Sequence, residues 1–293
     1  MSIVDSITSS RLIYGDDTHA FRDPTVIHRD GVFYLYCTYV ETEPTGDIYM
    51  YTVVMRSRDL VHWSEPERLT PRDKACNYSS PGNIVEHDGK YILCLQTYPR
   101  ENGEKYGNQN ARLFTMESKD LDSWTPPRLI PVKGDVPVSD MGRMIDPYLI
   151  YDPKTSLWNC FFKQNGVSRS VSADLEHWEF RGRMDGGENV SVIRKDGGYY
   201  LFHSPENGIG VKYSKDLESW RDVGELLTFG QKDWSWARGR LTAGFVLPFE
   251  EEGETLYLLF FHGTGPEDES VTFDVNASIG LAWSRDLIRW EWR

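Results

Sequence analysis

Ser57-Arg-Asp-Leu-Val-His-Trp63 is one of five copies of a short pattern, Ser-x-Asp-Leu-x-x-Trp, and the number of copies decides the fold. The other four occupy residues 118–124, 172–178, 214–220 and 284–290. Their aspartates, Asp59, Asp120, Asp174, Asp216 and Asp286, lie 61, 54, 42 and 70 residues apart. Self-similarity over tens of residues marks a repeat architecture, and the unequal intervals say that its loops vary.

Ahead of each copy stand an apolar run, a turn and a stronger aromatic run. The pairs are residues 24–31 and 32–37, 83–89 and 91–94, 147–153 and 157–162, 190–197 and 199–202, and 241–247 and 256–261. Asp30-Gly31, Asp88-Gly89 and Asp196-Gly197 are hairpin signals, because both residues tolerate positive φ. A third strand leads into each Ser-x-Asp-Leu-x-x-Trp, as at 49–56, 112–117 and 209–213, and a fourth follows the Trp. Ser and Asp oxygens suit a tight turn, and Leu and Trp are left to pack between sheets. The chain therefore reads as all-β: a five-bladed β-propeller, four antiparallel strands per blade, in one domain over 1–293. Arg11-Leu-Ile-Tyr14 resembles the stretches after Trp63 and Trp124, so residues near 10–15 are expected to supply the outer strand of blade five.

Composition narrows the partners. A net charge of −13 disfavours nucleic acid and anionic membranes. No apolar run reaches 18 residues. The start, Met1-Ser-Ile-Val-Asp-Ser6, has neither a basic region nor an apolar one, which leads to the expectation of a cytoplasmic protein. Cys37, Cys94 and Cys160 fall at equivalent places in three blades, as packing residues do, and with Cys76 they suit a reducing compartment. The 13% aromatic content suits both flat packed sheets and a sugar-binding face. Nothing in the sequence specifies an oligomeric state.

The innermost strands of a propeller begin around one channel mouth, so residues at those starts converge. Blade one offers Phe21-Arg22-Asp23-Pro24, blade two Ser79-Ser80-Pro81-Gly82-Asn83, and blade three Met144-Ile145-Asp146-Pro147. Blade four offers Gly186-Gly187-Glu188-Asn189-Val190, and blade five Arg238-Gly239-Arg240-Leu241-Thr242. Asp23, Asp146 and Glu188 are read as matching positions. Glycosidic cleavage uses such carboxylates, one protonated to assist the leaving oxygen and one ionised to activate water. A third raises the donor's proton affinity by like charge. The plainer alternative is that Asp-Pro pairs are turn formers and Glu188 a solvated loop residue.

Arg22-Asp23-Pro24, Ile145-Asp146-Pro147, and Glu188 ahead of Arg194-Lys-Asp-Gly-Gly-Tyr-Tyr-Leu-Phe-His-Ser204 resemble glycoside hydrolase family 43. The repeats are shared with that family and with its relatives in families 32, 62, 117 and 130. The resemblance implies that Asp23 is the general base, Asp146 tunes the acid, and Glu188 is the general acid. It also implies inversion at the anomeric carbon, with α-L-arabinofuranosides and β-D-xylosides in short plant oligosaccharides as substrates. Asn189-Val190 stands where family members carry a small residue and Pro, and Arg238 and Arg240 stand where many carry His.

Arg22, Arg240, Phe21, Tyr78, Asn83, Gln164, His203, Trp234 and Trp236 are the candidate substrate contacts. Glu206 is the alternative acid, and His262 a channel-facing candidate. No cofactor is required, no Cys/His spacing suggests zinc, and the central channel leaves room for a structural calcium ion. Two other readings stay open: a phosphorylase using the mouth arginines for phosphate, and a non-catalytic sugar-binding propeller.

Overall fold

A computed structural model of the chain describes residues 2–293 and contains five four-stranded antiparallel sheets. The first strand, β1 (Arg11–Ile13), belongs to the last blade. Blade one is β2 (His19–Arg29), β3 (Val32–Thr42), β4 (Ile48–Ser57) and β5 (Glu67–Arg68). Blade two is β6 (Ser79–His87), β7 (Lys90–Gln96), β8 (Leu113–Ser118) and β9 (Arg128–Leu129). Blade three is β10 (Ile145–Asp152), β11 (Leu157–Lys163), β12 (Val167–Ser172) and β13 (Trp178–Met184). Blade four is β14 (Glu188–Lys195), β15 (Gly198–Ser204), β16 (Gly210–Ser214) and β17 (Arg221–Asp222). Blade five is β18 (Arg240–Glu251), β19 (Glu254–Thr264), β20 (Ser278–Ser284) and β1, with a four-residue helix, α1 (Glu269–Thr272), between β19 and β20.

The first strands contact one another in the order β2, β6, β10, β14, β18 and back to β2, so the five sheets close a ring. Closure follows the expectation from Arg11-Leu-Ile-Tyr14. β1 pairs antiparallel with β20, Arg11 opposite Gly280 and Ile13 opposite Ile279. Two further bonds join the chain ends directly: Ser10 N–H donates to the Arg293 carbonyl at 3.1 Å, and Arg293 N–H to Ser10 Oγ at 2.9 Å.

The repeated pattern builds the same turn five times. In blade one, Ser57 Oγ accepts the Leu60 N–H at 2.9 Å, and Asp59 Oδ1 accepts the N–H groups of Val61 and His62 at 3.0 and 2.8 Å. The geometry forces the Leu backbone into the left-handed region in every copy: Leu60, Leu121, Leu175, Leu217 and Leu287 have φ between 62° and 68°. That conformation costs an L-residue about 1–2 kcal/mol. Burying the leucine side chain contributes about 1.5–3 kcal/mol, which offsets it before the hydrogen bonds are counted. In the first four copies the Trp indole N–H also donates to the Leu carbonyl, at 3.0–3.2 Å.

Asp30-Gly31, Asp88-Gly89 and Asp196-Gly197 each take positive φ at both positions, the form expected of two-residue hairpin turns. Tight stacking of blades explains Gly82: a Cβ there would lie 1.4 Å from the Pro147 carbonyl oxygen of blade three. Cys37, Cys94 and Cys160 are buried on β3, β7 and β11, and burial pushes the Cys94 thiol up to about 12.

Candidate active site

One irregularity, repeated in each blade, builds the mouth of the channel. Near the start of every first strand a single residue turns left-handed: Asp23 (φ 50°), Ser80 (47°), Asp146 (54°), Asn189 (52°) and Ala243 (56°). At each of them the register with the second strand shifts, as between Arg22 and Thr25 or between Glu188 and Ser191. Such bulges bend a strand and re-aim its side chains. Asp and Asn tolerate the backbone because their short polar side chains bond locally.

This register corrects the reading of three matching carboxylates. Asp23 and Asp146 are equivalent, but their counterpart in blade four is Asn189. Glu188 stands one residue earlier, level with Arg22, Ser79, Ile145 and Thr242. Its longer side chain starts from that earlier position and still lines the recess shared with Asp23 and Asp146.

The recess has a volume of about 470 Å³ and opens to solvent. Each carboxylate in it is held differently. Asp23 Oδ2 accepts from Thr38 Oγ1 at 2.9 Å, and its Oδ1 from Asn189 Nδ2 at 3.3 Å. Ser80 N–H donates to Thr38 Oγ1 at 2.7 Å, which commits the Thr38 proton to Asp23. The Asp23 backbone N–H donates to His262 Nδ1 at 3.1 Å. Burial, then the Arg22 charge, lowers His262, so its ring is neutral and Nδ1 is the acceptor.

Asp146 is the most secluded of the three, with 6% of its surface exposed. Its Oδ1 accepts from Ser80 Oγ at 2.7 Å, and its N–H donates to Gln96 Oε1 at 2.6 Å. Burial, followed by the charges of Glu188 and Asp23, pushes the Asp146 carboxyl up to about 7. Glu188 Oε1 accepts from Arg240 Nη2 at 2.6 Å. Below Glu188, Gly187 N–H donates to His203 Nδ1 at 2.9 Å. Burial, then Lys212, lowers His203 to about 4, which keeps that nitrogen an acceptor. Gly187 has no room for a side chain, since a Cβ would fall 1.9 Å from the Ser204 carbonyl oxygen.

The mouth is roofed by two loops outside the repeats. Arg100 of the blade-two loop binds Asp274 of the blade-five loop through both nitrogens, at 2.5 and 3.0 Å. Phe273 lies between Tyr98 and Tyr106, with ring centres 6.4 and 5.0 Å away, and beneath the Arg22 guanidinium at 4.4 Å. Glu269, on α1, is buried and binds both mouth arginines: Arg22 Nη2 at 2.5 Å, and Arg240 Nη1. Burial alone would raise the Glu269 carboxyl, but Arg22, His262 and Arg240 hold it well below the usual carboxylate range.

Several expected contacts are placed elsewhere. Phe21 alternates to the opposite face of β2 and packs on Tyr39, with ring centres 5.2 Å apart. Tyr78 packs edge-on to Phe114. Asn83 staples blade two to blade three by bonds of 2.7 and 2.8 Å to the Leu149 backbone. Gln164 holds the Met141 and Arg143 carbonyls at 2.9 Å each. His203 supports the turn before Glu188 and does not line the recess. Trp234 and Trp236 stack on each other and on Phe261, with ring centres 5.2, 6.1 and 5.9 Å apart, so they are packing residues of blade five. Glu206 is exposed beyond β15 and away from the recess. Arg22 lines the recess, and Arg240 stands behind Glu188.

Thr38, Gln96, Asn189 and Glu269 were not singled out by the sequence reading. The first two stand opposite Arg22 and Ser79 across the strand pair, so register would have found them. Glu269 lies in an insertion with no repeat to align.

Among the described residues, no group of three or more His, Cys, Asp or Glu side chains is arranged to hold a metal ion. Beneath the mouth the channel is lined by Ser80, Asn189 and Ser191 as well as by the apolar Pro24, Pro81, Pro147, Val190 and Phe245.

Comparisons with known proteins agree with this fold. The family model "Glycosyl hydrolases family 43" matches residues 18–177. No curated protein sequence matches the chain. A thermostable family-43 glycoside hydrolase superposes with a TM-score of 0.66 at 14% identity, covering 98% of this chain and 96% of its own. An exo-1,5-α-L-arabinanase from a bovine ruminal metagenomic library gives 0.61 at 18% identity, covering 92% and 94%. The catalytic domain of a Coprinopsis cinerea family-62 α-L-arabinofuranosidase gives 0.66 at 14% identity, covering 95% and 98%. At these identities the superpositions establish the shared fold.

Proposed function

The chain belongs to glycoside hydrolase family 43 and is a glycosidase, and we propose that it removes terminal α-L-arabinofuranosyl or β-D-xylosyl residues from plant-type oligosaccharides with inversion. The observation that carries the reading is the convergence of Asp23, Asp146 and Glu188 on one roofed recess. Asp23 is the base: Thr38 and Asn189 both donate to it, which fixes the orientation of its carboxyl group in the recess where it would take a proton from water. Glu188 is the acid, and Asp146 tunes it by like charge: burial, then the charges of Glu188 and Asp23, pushes the Asp146 carboxyl itself up to about 7.

The roof supports action on chain ends. Arg100–Asp274 and the stack of Phe273 on Tyr98 brace one wall of the recess, an arrangement that suits a chain end better than a passing polymer. Hydrolysis, as opposed to phosphorolysis, is supported by the mouth arginines, because Arg22 and Arg240 already have carboxylate partners. Arg238 is exposed outside the recess. A carboxyl lifted to about 7 by burial and two neighbouring carboxylates supports catalysis over binding alone.

A panel of nitrophenyl glycosides tests the function, led by α-L-arabinofuranoside and β-D-xyloside, with and without phosphate. Turnover independent of phosphate, with NMR detection of the inverted anomer as first product, is expected. Retention of configuration, or dependence on phosphate, would sink the reading.

Asp146→Asn removes a negative charge that favours the protonated acid. The alkaline limb of the kcat profile is therefore expected to move to lower pH. A limb that stays in place would remove Asp146 from the tuning role.

A further inference from the structure

Arg240 is divided between two carboxylates. One terminal nitrogen holds Glu188 and the other holds Glu269, while its buried Nε has no hydrogen-bond partner. A guanidinium gripping by single nitrogens forgoes the paired fork that makes arginine–carboxylate bonding strong. Glu269 in turn spans Arg22 and Arg240, and Arg22 stands next to Asp23 in the chain. The base and the acid thus each have a cation nearby, and one buried carboxylate answers both cations.

That division matters because a general acid must carry a proton, and a cation beside a carboxyl group opposes the protonated form. Resting on the assignment of Glu188 as acid, we propose that Glu269 is a positioning residue that draws the charge of Arg240 away from Glu188 and that of Arg22 away from Asp23. It thereby sets the pH range in which acid and base are both correctly protonated. Charged and titratable groups face this cluster from every neighbouring strand. β2 supplies Arg22 and Asp23, β10 supplies Asp146, and β14 supplies Glu188. β18 supplies Arg240, and β19 supplies His262, whose Nε2 lies 3.7 Å from Glu269 Oε1. Arg143 and Tyr98 stand further out and add to the field at Asp146 and Arg22 respectively. Of these groups only Glu269 touches both arginines.

The signs follow from charge. Without the Glu269 carboxylate, Arg240 is free to take Glu188 in a two-pronged bond and hold it ionised, so the acid is lost at lower pH. The uncompensated charge of Arg22 favours ionised Asp23, so the base survives to lower pH. Both limbs of the bell-shaped profile move in the same direction.

Glu269→Gln keeps the shape and one acceptor oxygen while removing the charge, and its NH₂ faces the second arginine in place of an acceptor. Its kcat/KM profile is expected to slide to lower pH by about one unit on both limbs. At neutral pH, loss should depend on the leaving group. Turnover of arabinobiose or xylobiose, whichever the wild type cleaves, should fall about tenfold or more, whereas the nitrophenyl glycoside, which needs little proton assistance, should lose only a few-fold. Equal losses on both substrates with unmoved limbs would overturn the proposal and leave Glu269 a structural residue. Glu269→Asp keeps the charge and is expected to keep the wild-type limbs even if its melting temperature falls. A downward slide in that variant would also overturn the proposal, so the test stands if the glutamine variant does not fold. Wild-type protein inert towards every glycoside would instead overturn the assignment of the site itself.

Discussion

Asp23→Asn is expected to lower turnover by about 10²–10⁴-fold while leaving the fold intact, because that is the usual contribution of a positioned base. The fold should survive for two reasons. Asn accepts the left-handed backbone that Asp23 adopts at φ 50°, and its amide oxygen can still receive the Thr38 proton. What it cannot do is take a proton from water. Its NH₂ group would also face Asn189 Nδ2, which donates to Asp23 Oδ1 in the native site, so one donor loses its acceptor. Steady-state kcat on a disaccharide, with the melting temperature as control, decides the matter. Activity within a few-fold of wild type would remove Asp23 from the role of base.

Glu188→Gln should be as damaging, but selectively. The amide oxygen can keep the 2.6 Å bond from Arg240, so the mouth remains assembled. The proton donor is gone, and unactivated disaccharides should lose about 10²–10⁴-fold in kcat. Nitrophenyl glycosides should lose far less, because their leaving groups depart without a proton. Comparison of the two substrate classes in one variant separates loss of an acid from damage to the pocket, which would depress both. A uniform loss would transfer the acid role to another group, with Asp146 the first candidate on account of its raised proton affinity.

The blades were legible because the constraints that set them are local. Five leucines forced into left-handed turns need the same Ser and Asp acceptors each time, and three of the hairpins need Asp-Gly, so the sequence repeats what the backbone requires. Ring closure could be read for the same reason, through the likeness of Arg11-Leu-Ile-Tyr14 to two other outer strands. The site was legible only as far as the repeats reach. Asp23 and Asp146 share a bulge, but one residue of slip put Glu188 level with Arg22, and a bulge leaves no mark in hydrophobic alternation. Side-chain facing explains the misplaced aromatics: Phe21 is next to Arg22, yet the pleat sends it to the core. Trp234 and Trp236 lie in an insertion, where nothing in the pattern distinguishes stacking on sugar from stacking on Phe261. Glu269 depends on contacts with residues far away in sequence, Arg22 among them, and no local rule reports those.

The pairing of β1 with β20 has a consequence for how the protein comes into being. A ribosome delivers β1 before blades one to four and β20 after them, so the outer strand of blade five waits, unpaired, while those blades are made. Arg240, His262 and Glu269 arrive in the same late stretch. A nascent chain, or one cut short before blade five, therefore carries Asp23, Asp146 and Glu188 with Arg22 but without Arg240 and the buried carboxylate that spans the two arginines. The latch that fastens the ring and the last parts of the electrostatic circuit are delivered together, so closing the ring and arming the site are one event.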